Sequence, residues 1–119
     1  MSARKVLVVD DEENIVYALR LLLSKSGFEV FHAYNGVEAL EKYIKVKPDV
    51  VLLDIMMPIK DGFNTAKEIR DLDVQSTSKI IFLTAKGTIK DKMKAYEKGG
   101  DDYIIKPFNN SELLEKINS

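Results

Sequence analysis

Short runs of branched and aromatic apolar residues alternate five times along this chain with stretches whose apolar residues recur at three- and four-residue spacing. The runs are KVLVV (5–9), FEVFHA (28–33), VVLL (50–53), IIFL (80–83) and YII (103–105). Each is too short for a helix and rich in strand-forming residues. Between the first two, Ile15, Ala18, Leu19, Leu22 and Leu23 mark a helix that starts at Glu13 and is stopped by Gly27. Val37, Ala39, Leu40 and Ile44 mark a second helix after the turn Asn35-Gly36, and Phe63, Ala66 and Ile69 a third after Asp61-Gly62. A polar loop follows over 71–78. Ile89, Met93 and Tyr96 mark a fourth helix ending at Gly99-Gly100, and Leu113, Leu114 and Ile117 a fifth with Ser111 as its cap. Five β-α units in 119 residues imply one α/β domain (1–119), a parallel sheet with helices on both faces. Such sheets bind ligands outside the carboxyl ends of their strands.

The residues at those ends are therefore the ones to read for chemistry. The run 50–53 leads directly into Asp54, and a charged, unpartnered carboxylate inside a strand covered on both faces costs several kcal/mol. It belongs where the strand meets solvent, cations or donors. The first strand ends in Asp10-Asp11, the fourth in Thr84, the fifth in Lys106-Pro107, and the second, without charge, in Ala33-Tyr34. Solvation of strand ends explains any one of these residues alone. It does not explain three acids, a hydroxyl and an ammonium on one edge. Three clustered carboxylates repel, so one must protonate unless a cation is present. A hard oxygen-seeking ion, Mg²⁺ or Mn²⁺, suits that donor set. A carboxylate, a divalent ion, a lysine and a hydroxyl around one point form a phosphoryl-transfer site, with Asp54 as nucleophile and Asp10 and Asp11 as ion holders.

Composition narrows the alternatives. Net charge is −1, so nothing global points to nucleic acid or a membrane surface. There is no cysteine, which removes disulfides and thiolate chemistry. No stretch approaches a signal h-region or a membrane span, and a cytoplasmic location is expected. His32 reads as a strand residue away from the site. Met56 and Met57 read as packing, with Met56 bordering the site, and Lys90, Lys94 and Lys98 as a solvated helix face.

Four motifs carry a family resemblance: VLVVDDEE (6–13), LLDIMMPIKDG (52–62), IIFLTAK (80–86) and DDYIIKPF (101–108). In this order and spacing the chain resembles, over essentially its whole length, the CheY-like receiver domain of two-component response regulators. The resemblance implies a flavodoxin-like fold with strand order 2-1-3-4-5 and Asp54 as phosphoacceptor. It also implies Mg²⁺ held by Asp11, Asp54 and the backbone carbonyl of Met56, with Asp10 acting through water. Thr84 and Lys106 would contact the phosphoryl group, Thr84 and Tyr103 would form a switch, and the Lys106-Pro107 bond would be cis. A sensor histidine kinase would be the donor. An output domain or partner protein would read the surface of the fourth helix, fifth strand and fifth helix, which would also serve a homodimer.

The implied activity is self-phosphotransfer and autodephosphorylation rather than turnover of a separate substrate. Met56 and Lys86, two residues after the phosphoacceptor and the threonine, do not suit water activation, so the phosphoryl group would be comparatively long-lived. DDYIIKPF is most similar to receivers that precede winged-helix DNA-binding domains. The fifth helix stops about one turn short of a usual receiver, as in a domain excised from a longer regulator; a single-domain regulator is the alternative.

Other functions fit less well. A haloacid-dehalogenase-like phosphatase wants an acid two residues after its aspartate, where this chain has Met56. A nucleotide- or flavin-binding domain needs a phosphate loop where Asp10-Asp11-Glu12-Glu13 would repel phosphate. A receiver that signals without phosphorylation would not need the complete set of five site residues.

Overall fold

The computed structural model describes residues 4–57, 59–74, 77–85 and 89–119. Five strands, β1 (Lys5–Val9), β2 (Glu29–Ala33), β3 (Val50–Asp54), β4 (Lys79–Thr84) and β5 (Asp102–Ile105), alternate with five helices. These are α1 (Glu13–Lys25), α2 (Gly36–Val46), α3 (Gly62–Leu72), α4 (Ile89–Glu97) and α5 (Asn110–Asn118). The strands are all parallel in the order β2-β1-β3-β4-β5. The expected flavodoxin-like topology is therefore present.

Side-chain alternation divides the core. Leu7, Val9, Val51, Leu53, Ile80 and Phe82 face a layer containing Ala39, Tyr43, Phe63, Ala66, Ile69 and Ala95, supplied by α2, α3 and α4. Val6, Val8, Val50, Leu52, Ile81, Leu83 and Ile104 face Val16, Leu19, Leu23, Leu113 and Ile117, supplied by α1 and α5. Strands β1, β3 and β4 are thus apolar at successive positions because both faces are covered. Strand order places β3 in the centre, with its last residue, Asp54, opposite Leu83.

Local chemistry sets the helix entries and exits. Asn35 caps α2 by accepting from the Glu38 amide and donating to the Glu38 carboxylate. Asp61 caps α3 by accepting from the Asn64 amide. Gly27, with φ of +92°, turns the chain after α1 in the left-handed region that suits glycine. One expectation is corrected. The cap of α5 is Asn109, whose side chain accepts from the Glu112 amide, not Ser111. The face of α2 that meets the sheet is Gly36, Ala39 and Tyr43, while Val37 and Ile44 are exposed. Tyr43 reaches the buried face because its hydroxyl has partners there in Asp73 and Ser78. On α4, likewise, Ala95 is buried while Met93 and Tyr96 are exposed.

One close approach sets where Asp54 lies. A Cβ on Gly62 would stand 2.3 Å from the carbonyl oxygen of Asp54 and 2.8 Å from Cα of Ile55, and the Gly62 amide donates to the Ile55 carbonyl at 2.9 Å. The obstructing atoms are backbone, so they cannot rotate away. Gly62→Ala should therefore lower stability by about 1–3 kcal/mol in urea denaturation and displace the end of β3. Stability within 0.5 kcal/mol of the parent, to a rough limit for neutral changes, would show that the loop relaxes freely.

Candidate functional site

The carboxyl ends of the strands carry the groups that the motifs single out. Asp10 follows β1 directly, and its backbone amide donates to the Ala33 carbonyl at the end of β2. The Asp10 side chain is fully buried, and Oδ1 accepts the Glu12 amide at 3.0 Å, satisfying a donor at the start of α1 that has no side-chain cap of its own. Oδ2 accepts from Nζ of Lys106 at 3.0 Å. The same ammonium lies 3.5 Å from Oδ1 of Asp54. Lys106 is held in turn by its own amide, which donates to the Thr84 carbonyl at 2.7 Å, and the Lys106-Pro107 peptide is cis. One lysine thus joins the ends of β1, β3 and β5.

Asp10, Asp11 and Asp54 each place a carboxylate oxygen so that all three lie within 4.8 Å of one another. Asp11 is exposed, whereas Asp54 retains 5% of its surface. Burial is the main cause that pushes the Asp54 carboxyl up to about 6. The Asp10 charge adds to the rise, and Lys106, with a hydrogen bond from the Met56 backbone, opposes it. Burial also works against the Lys106 ammonium. The Asp10 hydrogen bond and the charges of Asp10, Asp54 and Glu12 outweigh it and hold its pKa above the ordinary value. The donor set is oxygen only, hard, and carries more negative charge than one lysine balances, which fits a divalent cation such as Mg²⁺.

The remaining expected residues are distributed around this cluster. Thr84 is buried at the end of β4. Tyr103 pairs with Phe82 in register and packs against the same core layer, on the side covered by α4. Met56 is 66% exposed, so its expected packing role is corrected: it stands at the mouth of the site, while Met57 is the methionine packed on the core. Lys86 lies outside the described residues, as does the side chain of Lys90. Lys94 is exposed with its ammonium 4.9 Å from the Phe63 ring centroid, and His32 is partly exposed on β2, edge-on to Tyr34 and away from the cluster. The Lys106–Asp10 pair was not evident from the sequence, because the two residues lie 96 positions apart.

The raised Asp54 pKa has a consequence for stability. A carboxyl with a higher pKa in the folded state favours folding fully below the unfolded value near 3.8, and that contribution disappears as pH rises through about 6. Without divalent metal, Asp54→Asn should therefore exceed the parent in stability at pH 7.5 by on the order of 1–2 kcal/mol. The difference should shrink toward pH 4. Parallel chemical-denaturation curves at the two pH values measure it.

Comparison with known proteins now adds to this geometry. A family model described as the response regulator receiver domain matches residues 6–118. Chemotaxis protein CheY4 of Vibrio cholerae is 32% identical, with 98% of each chain covered and a TM-score of 0.93. A putative response regulator from Chloroflexus aurantiacus J-10-fl is 35% identical, covering 98% of this chain and 96% of its own, at a TM-score of 0.91. A two-component response regulator from Clostridium difficile is 31% identical, with 97% and 93% covered and a TM-score of 0.90. With the strand order, the acidic strand ends and a family match across nearly the whole chain in agreement, this protein belongs to the response regulator receiver domain family and has the CheY-like fold.

Proposed function

We propose that the chain is a phosphorylation-dependent switch that accepts a phosphoryl group on Asp54. The observation that carries this reading is the placement of Asp54 at the end of the central strand, beside Asp10, Asp11 and the Lys106 ammonium. In the transfer, a carboxylate oxygen of Asp54 forms the new P–O bond as the P–N bond of a donor phosphohistidine breaks, and the departing imidazole nitrogen takes up a proton. Lys106, already within ion-pair distance of Asp54, neutralises an oxygen of the transferring group, and Thr84 donates a hydrogen bond to another. Asp11, Asp54 and the Met56 carbonyl would hold Mg²⁺. Both oxygens of Asp10 already accept protein donors, which suits a role through water. When bound, the ion supplies charge neutralisation to the phosphoryl oxygens and relieves the repulsion among the carboxylates.

The donor is proposed to be the phosphohistidine of a sensor histidine kinase, and the reader an output domain or partner protein. Thr84 and Tyr103 lie on one side of adjacent strands, since Tyr103 registers with Phe82 and Thr84 is two residues further along β4. A hydroxyl drawn toward the phosphoryl group thus makes room for the ring, altering the α4-β5-α5 surface, which is also the proposed homodimer face. The phosphoryl group shifts this balance only through its different contacts in the two states. No described helix is long and apolar enough to cross a membrane.

Intact mass after incubation with Mg²⁺ and acetyl phosphate should rise by one phosphate, and Asp54→Asn should show no gain. Equal labelling of that variant would reject Asp54 as acceptor. Millimolar Mg²⁺ alone should raise the melting temperature, as expected for a ligand that binds only the folded site. Asp11→Ala should remove that shift while remaining folded by circular dichroism. Identical melting of the parent with and without Mg²⁺ would reject the metal assignment.

A further inference from the structure

The outer edge of β5 holds an arrangement that the phosphoacceptor cluster does not use. As the last strand in the sheet, β5 has β4 on one side and, among the described residues, no strand on the other. On this strand Nζ of Lys116, from α5, stands 5.5 Å from the ring centroid of Tyr103 and donates to Oδ1 of Asp102 at 3.0 Å. The Tyr96 ring, from α4, meets Tyr103 edge-on, with centroids 6.4 Å apart and planes at 84°. The Lys116 backbone is fixed as well. Its carbonyl accepts from Nζ of Lys79 at 2.9 Å, at the start of β4, and the Lys79 ammonium also reaches the Ser119 hydroxyl at 3.0 Å. Lys116 is thus tethered at both ends, its carbonyl to β4 and its ammonium to β5.

A cation fixed in this way acts on the ring beside it. The face of a phenol ring attracts an ammonium, and the attraction strengthens when the ammonium cannot swing into solvent. We propose that Lys116 is a positioning residue that holds the Tyr103 ring at the outer edge of β5 in the unphosphorylated protein, with Asp102 holding the lysine. The inference rests on the switch reading of Thr84 and Tyr103. A ring that moves toward Thr84 leaves both Lys116 and Tyr96, so these contacts weight the equilibrium against the inward state. By linkage, whatever disfavours the inward ring also disfavours the phosphorylated state, by at most the same factor. Loss of the cation therefore raises the inward population and phosphoryl acceptance together.

The test uses ¹³C-labelled tyrosine and NMR of the full chain, with Mg²⁺ and beryllofluoride as a phosphoryl mimic defining the inward end point. In Lys116→Met, which keeps the aliphatic stem, the Tyr103 ring signal of the untreated protein should move toward that end point. The inward-to-outward ratio should rise roughly two- to fivefold, the scale of a cation–π contact at a partly exposed site. Asp102→Asn, which releases the lysine, should move the signal in the same direction, and Lys116→Arg should restore the parent position. The Tyr17, Tyr34 and Tyr43 signals should stay in place in all variants, which a general loosening of the fold would not allow. If beryllofluoride leaves Tyr103 unmoved in the parent, the switch reading fails and this inference with it. If the parent responds but Lys116→Met and Asp102→Asn both keep the parent position, the inference alone is overturned.

Discussion

Three carboxylates brought within 4.8 Å by parallel strands cannot all keep their charge unaided, and the Lys106 ammonium is what makes the cluster tenable. The other features of the site follow from it. Asp10 can be fully buried because one oxygen takes the ammonium and the other takes the amide at the start of α1. Asp54 receives the more distant contact with the same lysine and is left with a pKa near 6. One cation shared by two buried acids leaves negative charge in excess, and that excess is what a divalent ion would balance. The site is therefore built with an electrostatic deficit, and the deficit makes it responsive.

The opposite end of the sheet is bonded differently. Arg70, on α3, donates to the carbonyls of Gly99 and Ser78 and to the Asp101 carboxylate, which also accepts the Ile80 amide. The Tyr43 hydroxyl lies between Asp73 and Ser78, and Lys79 reaches the end of α5. These bonds close the amino ends of the strands with donors matched to acceptors. Unbalanced charge is gathered at the other end. There Ile59, a β-branched residue with φ of +72°, sits in the loop after Asp54. Acceptors are thus matched at the base of the sheet, and the excess charge is confined to the rim that holds the proposed phosphoacceptor.

Much of this was legible in the residues themselves. Short apolar runs ending in Asp10-Asp11, Asp54, Thr84 and Lys106 give away the strands, because a parallel sheet covered on both faces requires such runs and collects their ends on one edge. The family motifs named the same residues independently. What escaped depended on partners far away in the chain. The buried face of α2 was not legible from hydropathy, because Tyr43 buries a hydroxyl whose partners, Asp73 and Ser78, come from elsewhere in the sequence. Met56 was read as packing because hydropathy does not register that the chain is turning outward at the site mouth. The cap of α5 was displaced by two residues because Asn109 and Ser111 are both competent caps and only backbone geometry selects between them. Lys116 carried no signal in the sequence, since its meeting with Tyr103 depends on how α5 packs beside β5.

Burial and the Asp10 charge raise the Asp54 pKa to about 6, and a bound cation would lower it again. The most direct measurement is a pH titration of the Asp54 side-chain ¹³C carboxyl signal, first without divalent metal and then with saturating Mg²⁺. A midpoint near 6 is expected in the first case and a clear fall toward or below the ordinary carboxylate range in the second. A metal-free midpoint already at an ordinary aspartate value, unchanged by Mg²⁺, would mean that neither burial nor a cation governs Asp54.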